Sequence, residues 1–226
     1  FFLFLLIVYT NGSFFLKIIN DENYKKNFYE ISLIGLIITL LLAQIINFVL
    51  PLKDQILYLN IFLALIYMFR NNKIFLNIKL DFKIFFVLFI LTILNIYGSE
   101  FSDDINHYHY SYITNTDQSN YIWGLSFLHP LFGTSPLWLV GHSYFNFDSS
   151  VLQDIHILNG VLFFLICGLF ITELKNSNKD LSPYHVIICS FLIFILIKYT
   201  RLKEFGIDRP AYILSFFLIY FYFKYF

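Results

Sequence analysis

The feature that most restricts what this chain can become is the apolar stretch Ile31–Leu52, which closes around Pro51. Crossing the hydrocarbon core of a bilayer takes about 20 mostly apolar residues in a helix, and this stretch supplies them outright. Shorter runs follow at Gln55–Phe69 (closed by Arg70 and Lys73), Phe82–Gly98, Ile157–Thr172, Pro183–Tyr199 and Ala211–Phe226. A partial run, Phe1–Tyr9, opens the chain. Several runs are near the lower length limit, where flanking Tyr and Lys complete a crossing. The pattern predicts an all-α, polytopic transmembrane helix bundle of about seven spans. Segment 74–80 is too short to span.

Charge content agrees. The chain is 58% hydrophobic and 13% charged, against roughly 25% charged in a soluble domain, so lipid is the expected main solvent. Net charge is zero, and no nucleic-acid partner is expected. The 30 Phe and 17 Tyr fit an AT-rich genome better than an aromatic binding surface. Met68 is the sole Met, and the chain starts and stops within apolar runs. The expectation is a piece of a longer protein. Cys167 and Cys189 both fall inside apolar runs and are expected as buried free thiols, with no metal pattern.

Orientation follows from the cations. Residues 84–174 contain no Lys or Arg, while Arg70, Lys73, Lys79 and Lys83 precede that stretch and Lys175 and Lys179 follow it. Cations mark cytoplasmic loops. Residues 99–158, with Glu100, Asp103, Asp104, Asp117, Asp148 and Asp154, are therefore expected outside, and Lys17, Lys25 and Lys26 inside. This divides the chain into N-terminal helices (1–98), an extracytoplasmic loop (99–158) and C-terminal helices (159–226). The expected location is a bacterial inner membrane, the loop facing the periplasm or exterior. Residues 199–210 break the rule by carrying Arg201, Lys203 and Arg209 on the outer side: either a helix is miscounted, or these cations stay outside to bind an anionic group such as phosphate.

A loop of this length between helices is uncommon unless folded or functional. Trp123, Trp138 and many Tyr and Phe argue for folding, pictured as amphipathic helices on the outer membrane surface. Ser102-Asp103-Asp104 suits a helix start, a hydroxyl cap followed by two acids at the positive end of the dipole. Capping and solvated charge explain the Asp pair without further function. Helical spacing also puts His107 on one face with Asp103 and Asp104, and a carboxylate beside an imidazole can act as a general base or hold a divalent cation. The second patch, Gly124–Trp138, carries His129, Thr134 and Ser135 among turn-forming Gly and Pro. It reads as a re-entrant or surface hairpin, or as part of a substrate pocket. His142 and His156 read as structural. No Gly-x-Ser-x-Gly, His-Glu-x-x-His, Cys-x-x-Cys or phosphate-binding loop occurs.

The Asp103-Asp104 pair, close after a membrane helix, resembles the polytopic glycosyltransferases that use lipid-phosphate sugar donors. A narrower pattern is similar to an uncharacterised bacterial membrane-protein family linked to surface-polysaccharide synthesis. It comprises Tyr108-His109, Gly124-Leu125, Leu128-His129, Gly133, Asp208, Pro210 and Ala211. It covers roughly residues 95–215, with Leu131 where that family has Arg, and at least four helices precede the acidic pair where the superfamily has one. The resemblance implies transfer of a sugar from a polyprenyl-phosphate donor to a glycan or lipid acceptor. Asp103 or Asp104 would be catalytic base or ligand to Mg or Mn, with His107 and His129 orienting. Tyr108, Thr134, Ser135 and Asp208 would contact substrate, and Arg201, Lys203 and Arg209 would pair with the donor phosphate. A transporter or flippase of lipid-linked glycans needs ionisable groups inside the membrane. The spans read from sequence offer only Gln44 and Asn47 at midspan, with Asn60 and Asn95 near ends, and no buried charge pair. Transport therefore ranks below transfer, and a non-catalytic scaffold is the third reading.

Overall fold

The computed structural model describes residues 1–19, 27–52, 54–71, 81–98, 109–121, 127, 137–146, 156–176, 183–199 and 208–225, with backbone alone at 208 and 209. Among them every regular element is helical. The order is α1 (Phe2–Ile18), α2 (Phe28–Asn47), α3 (Asp54–Arg70), α4 (Phe82–Tyr97), α5 (Tyr110–Gln118), α6 (Leu137–Tyr144), α7 (Ile157–Asn176), α8 (Pro183–Ile197) and α9 (Asp208–Tyr225). Two helices, α2 and α7, have the length and apolar content to cross a membrane. The segment 74–80 lies outside the described residues.

Helix starts follow local chemistry. Asn27 caps α2, its side-chain oxygen accepting from Tyr29 N at 3.0 Å. Asp81 caps α4, accepting from Lys83 N at 3.0 Å and Ile84 N at 3.4 Å. Each satisfies backbone donors that have no partner in the first turn. The first helix is longer than the run Phe1–Tyr9 suggests. Its polar centre, Thr10-Asn11-Gly12-Ser13, is used inside the bundle. Thr10 Oγ1 donates back to Leu6 O (2.8 Å) and Ile7 O (2.9 Å), and Asn11 Nδ2 donates to Thr39 Oγ1 on α2 at 2.8 Å.

Glycine sets the closest crossing. A Cβ on Gly35 would run into the Val8 carbonyl oxygen and lie 2.6 Å from Gly12 N. A Cβ on Gly12 would meet the Ile31 carbonyl oxygen and lie 2.9 Å from Gly35 N. Here α1 and α2 touch backbone to backbone, the small-residue mode of packing that serves helices lacking a hydrophobic drive to associate. Against them lies α7, buried from Leu158 through Phe170, with the Tyr29 ring occupying the space a side chain on Gly168 would need.

Around this centre, α3, α4, α8 and α9 bury narrow stripes. On α9 the stripe is Ile213, Phe217 and Tyr220; on α8 it is Ile188 and Ile195. Their remaining faces are exposed yet apolar, as at Phe62, Phe69, Phe86, Ile193, Leu218 and Phe223. A helix at a protein–water boundary shows polar residues on that face.

The helices alternate in direction. Lys17 meets Asn71, Lys175 pairs with Asp81, Asn27 reaches Thr172, and Lys224 contacts Glu30 and Glu173. These contacts gather the ends of α1, α3, α7 and α9 with the starts of α2 and α4. At the opposite end Asn47 meets the backbone of Thr116 and Ser119, and Asn95 Nδ2 donates to Tyr199 O at 3.1 Å.

Two expectations need correction. Cys167 is buried, but Cys189 is exposed on α8, because α8 is peripheral. Also, α6 is no surface amphipathic helix: Trp138 through Tyr144 are all buried. Gly141 lets it settle against Leu40 of α2 and Leu158 of α7, and Phe145 packs edge-on against Phe4 at 4.8 Å. A short helix apolar on most sides belongs inside.

Candidate functional site

Of the residues singled out from sequence, Asp103, Asp104, His107, Tyr108, His129, Thr134, Ser135, Arg201 and Lys203 lie outside the described residues. Asp208 and Arg209 open α9 as backbone. What the structure describes is the frame on either side of them. His109, the residue after Tyr108, is buried and leads into α5. That helix is fastened to the end of α2. Asn47 Nδ2 donates to Thr116 O (3.2 Å) and Ser119 O (3.3 Å). Asn47 O accepts from Tyr121 N at 2.8 Å, and Leu52 N donates to Thr116 O at 3.1 Å. Two backbone and two side-chain bonds around one buried Asn hold the loop helix to the bundle.

Beside it, α6 brings polar groups inside. Trp138 Nε1 donates to Asn159 Oδ1 of α7 at 3.0 Å. The Trp138 and His142 rings meet edge-on with centroids 5.8 Å apart, one turn apart on the same helix face. Asn60 of α3 donates to the Tyr144 hydroxyl. His156, just before α7, is buried, and burial pushes its pKa down to about 4, so its imidazole is neutral near pH 7. His142 and His156 are buried side chains, and this end of the bundle gathers imidazole, indole, amide and phenol groups.

The other end holds a constellation that sequence reading missed. Lys224 Nζ donates to Glu30 Oε2 at 2.9 Å, to Glu173 Oε1 at 3.0 Å and to the Tyr220 hydroxyl at 2.6 Å. An ammonium has three donors, and all are used. The second oxygen of Glu30 accepts from the Tyr225 hydroxyl at 2.9 Å. Glu30 is fully buried, whereas Glu173 and Lys224 are partly exposed. The reading that the spans hold no buried charge pair is therefore corrected. Glu30 stands one residue before the run Ile31–Leu52, but α2 starts at Phe28, so the carboxylate is drawn inside. The available signal was a lone acid and a lone Lys each at the edge of an apolar run, with nothing local to pair them. Nearby, the Lys175 ammonium, with the backbone N–H groups of Ile84 and Lys83, holds the Asp81 carboxyl below the usual range.

Among the described residues no three His, Cys, Asp or Glu side chains form a metal-binding group. No curated protein and no solved structure matches the chain. A family described as a domain of unknown function (DUF8201) matches residues 1–226, and the chain belongs to that family.

Proposed function

We propose that this is a seven-span inner-membrane protein that works at the outer face, transferring a sugar from a polyprenyl-phosphate donor to a glycan or lipid acceptor during cell-surface polysaccharide synthesis. In this reading α1–α4 and α7–α9 cross the bilayer. The observation that carries it is the division of the helix ends. Lys17, Arg70, Lys83, Lys175 and Lys224 fall at one end, against Lys198 at the other, where the loop helices α5 and α6 are built in. A cation-rich end opposite the end that carries the loop helices is the sidedness an exported-face enzyme needs. The apolar outer faces of α3, α4, α8 and α9 add support, since lipid is the solvent that accepts them.

Transfer needs a base for the acceptor hydroxyl and a partner for the departing phosphate. Asp103 or Asp104 is assigned the first role, with His107 and His129 orienting. Tyr108, Thr134, Ser135 and Asp208 would contact the sugar or acceptor, and Arg201, Lys203 and Arg209 the phosphate. The Asp pair would also be the holder of a divalent cation. The test replaces Asp103 and Asp104 by Asn together and follows surface glycan composition at matched protein level. Loss of one glycan is the expected result, and an unchanged glycan sinks the reading. Labelling of a single cysteine at position 104 by an impermeant reagent checks sidedness.

One observation favours a second reading, a transporter or flippase of lipid-linked glycans. Glu30, Glu173 and Lys224 supply intramembrane charge, which is rare and marks pathways. Transport in proteoliposomes that survives the Asp replacements but fails with Glu30→Gln supports that reading.

A further inference from the structure

We infer that the Glu30–Lys224–Glu173 cluster is a latch holding the charged end of α9 shut against α2 and α7, and that α9 swings outward as a gate when it opens. The buried stripe of α9 is narrow, and the helix meets its neighbours chiefly through aromatic contacts: Phe216 stacked on Phe191 of α8 at 4.2 Å, and Tyr220 beside Phe170 of α7 at 5.9 Å. Apolar contacts of this kind are non-directional and survive sliding. Among the described side chains, the polar ties from α9 to other helices come from its last two turns. The preceding helix is different. The far end of α8 is pinned to α4 by Asn95 on Tyr199 O and by the Tyr199 hydroxyl on Leu91 O. Thus α8 is tied at its C-terminal end, whereas the described side chains of α9 tie it to other helices in its last two turns.

The chemistry of the cluster makes the closed state specific. One ammonium bridges carboxylates from two helices, so Lys224 reads the positions of α2 and α7 at once. The two arms differ. Glu30 is sealed from water, whereas Glu173 and Lys224 are partly exposed. Solvent reaches the Glu173 arm first, and Glu30 with Tyr225 forms the inner catch.

The latch is tested with spin labels on two exposed positions, Phe69→Cys on α3 and Phe223→Cys on α9. The background is Cys189→Ser, because Cys189 is exposed and Cys167 is not. The full chain in nanodiscs is expected to give one narrow distance distribution. Lys224→Met is expected to broaden it and add a longer-distance population, while Lys175→Met, which removes a cation from the same end, leaves it narrow. Should Lys224→Met fail to fold, the charge-free variant Glu30→Gln/Glu173→Gln/Lys224→Met decides, with a broad distribution upholding the latch. Narrow distributions in the folded Lys224→Met protein or in the charge-free variant overturn it, as does equal broadening by Lys175→Met. Surface-glycan composition plays no part, so the latch stands or falls apart from the transfer reading.

Discussion

Replacing Gly35 by Ala pits two opposed effects against each other. In a helix interior Ala is favoured over Gly by about 1 kcal/mol, so the substitution would stabilise α2 in isolation. In the bundle the new methyl would fall on the Val8 carbonyl oxygen and within 2.6 Å of Gly12 N. Both are backbone atoms, with no rotamer through which to escape. Restoring ordinary contact requires α1 and α2 to part by roughly 1–2 Å, and a gap of that size forfeits a quarter or more of each dispersion contact along the crossing. Overpacking of this kind costs about 1–3 kcal/mol, and separation also stretches the Asn11–Thr39 bond now at 2.8 Å. With the weakened Asn11–Thr39 bond adding about 1 kcal/mol, the net expectation for Gly35→Ala is a loss of about 1–3 kcal/mol after the propensity gain is subtracted. Gly160→Ala is the contrast. Its Cβ would meet Ile96 Cδ1 at 2.8 Å and Thr92 Cγ2 at 3.0 Å, both side-chain ends. Ile96 can turn aside, and the expected change is within about 1 kcal/mol of zero. The assay is reversible unfolding of the detergent-solubilised protein followed by far-UV circular dichroism, with both variants side by side. Equal stability for the two refutes the reasoning, and so does a stabilised Gly35→Ala.

His156 sets an acid-side pH dependence. Burial lowers its folded pKa to about 4 from an unfolded value near 6.5, so the unfolded chain binds the proton more readily. The resulting stability is present in full above about pH 6.5 and is lost as pH falls from there toward 4, amounting to about 3 kcal/mol. Denaturation midpoints against pH should show this slope, and His156→Gln should flatten it. Asn47→Ala removes the Nδ2 donor at the end of α2 from the Thr116 and Ser119 carbonyls, for about 1–3 kcal/mol. Faster hydrogen exchange at 109–121 with unchanged exchange in α7 is the expected signature, and uniform acceleration would contradict a local fastening. The Lys175–Asp81 pair is exposed, so Asp81→Asn should shift stability little, and less still in high salt.

Most of the helical frame is legible from composition along the chain. The runs beginning at Phe82, Ile157 and Pro183 start where α4, α7 and α8 start, because apolar runs bounded by charge or Pro have few alternatives. The first helix is misjudged for a physical reason. Thr10, Asn11 and Ser13 look like a break, but a bundle interior absorbs hydroxyls and amides that bond to the preceding turn or to a neighbour. The burial of α6 is likewise invisible, since an eight-residue, mostly apolar piece reads equally as core or interface. The Glu30–Lys224 pair joins residues nearly a whole chain apart, and no local pattern announces a partner 194 positions away. Of the site proposed around the Asp pair, its neighbour His109 and the opening turn of α9 are described.

The two ends of α2 carry different freight. At one tip Glu30 engages the final helix, and at the other Asn47 grips the loop that grows out of the acidic segment. About 25 Å of unbroken helix joins them, at 1.5 Å per residue, and the glycine crossing with α1 sits nearer the Glu30 tip, at Gly35. One rigid rod therefore carries both attachments, and the seat of α9 and the footing of α5 are set relative to each other by a single helix.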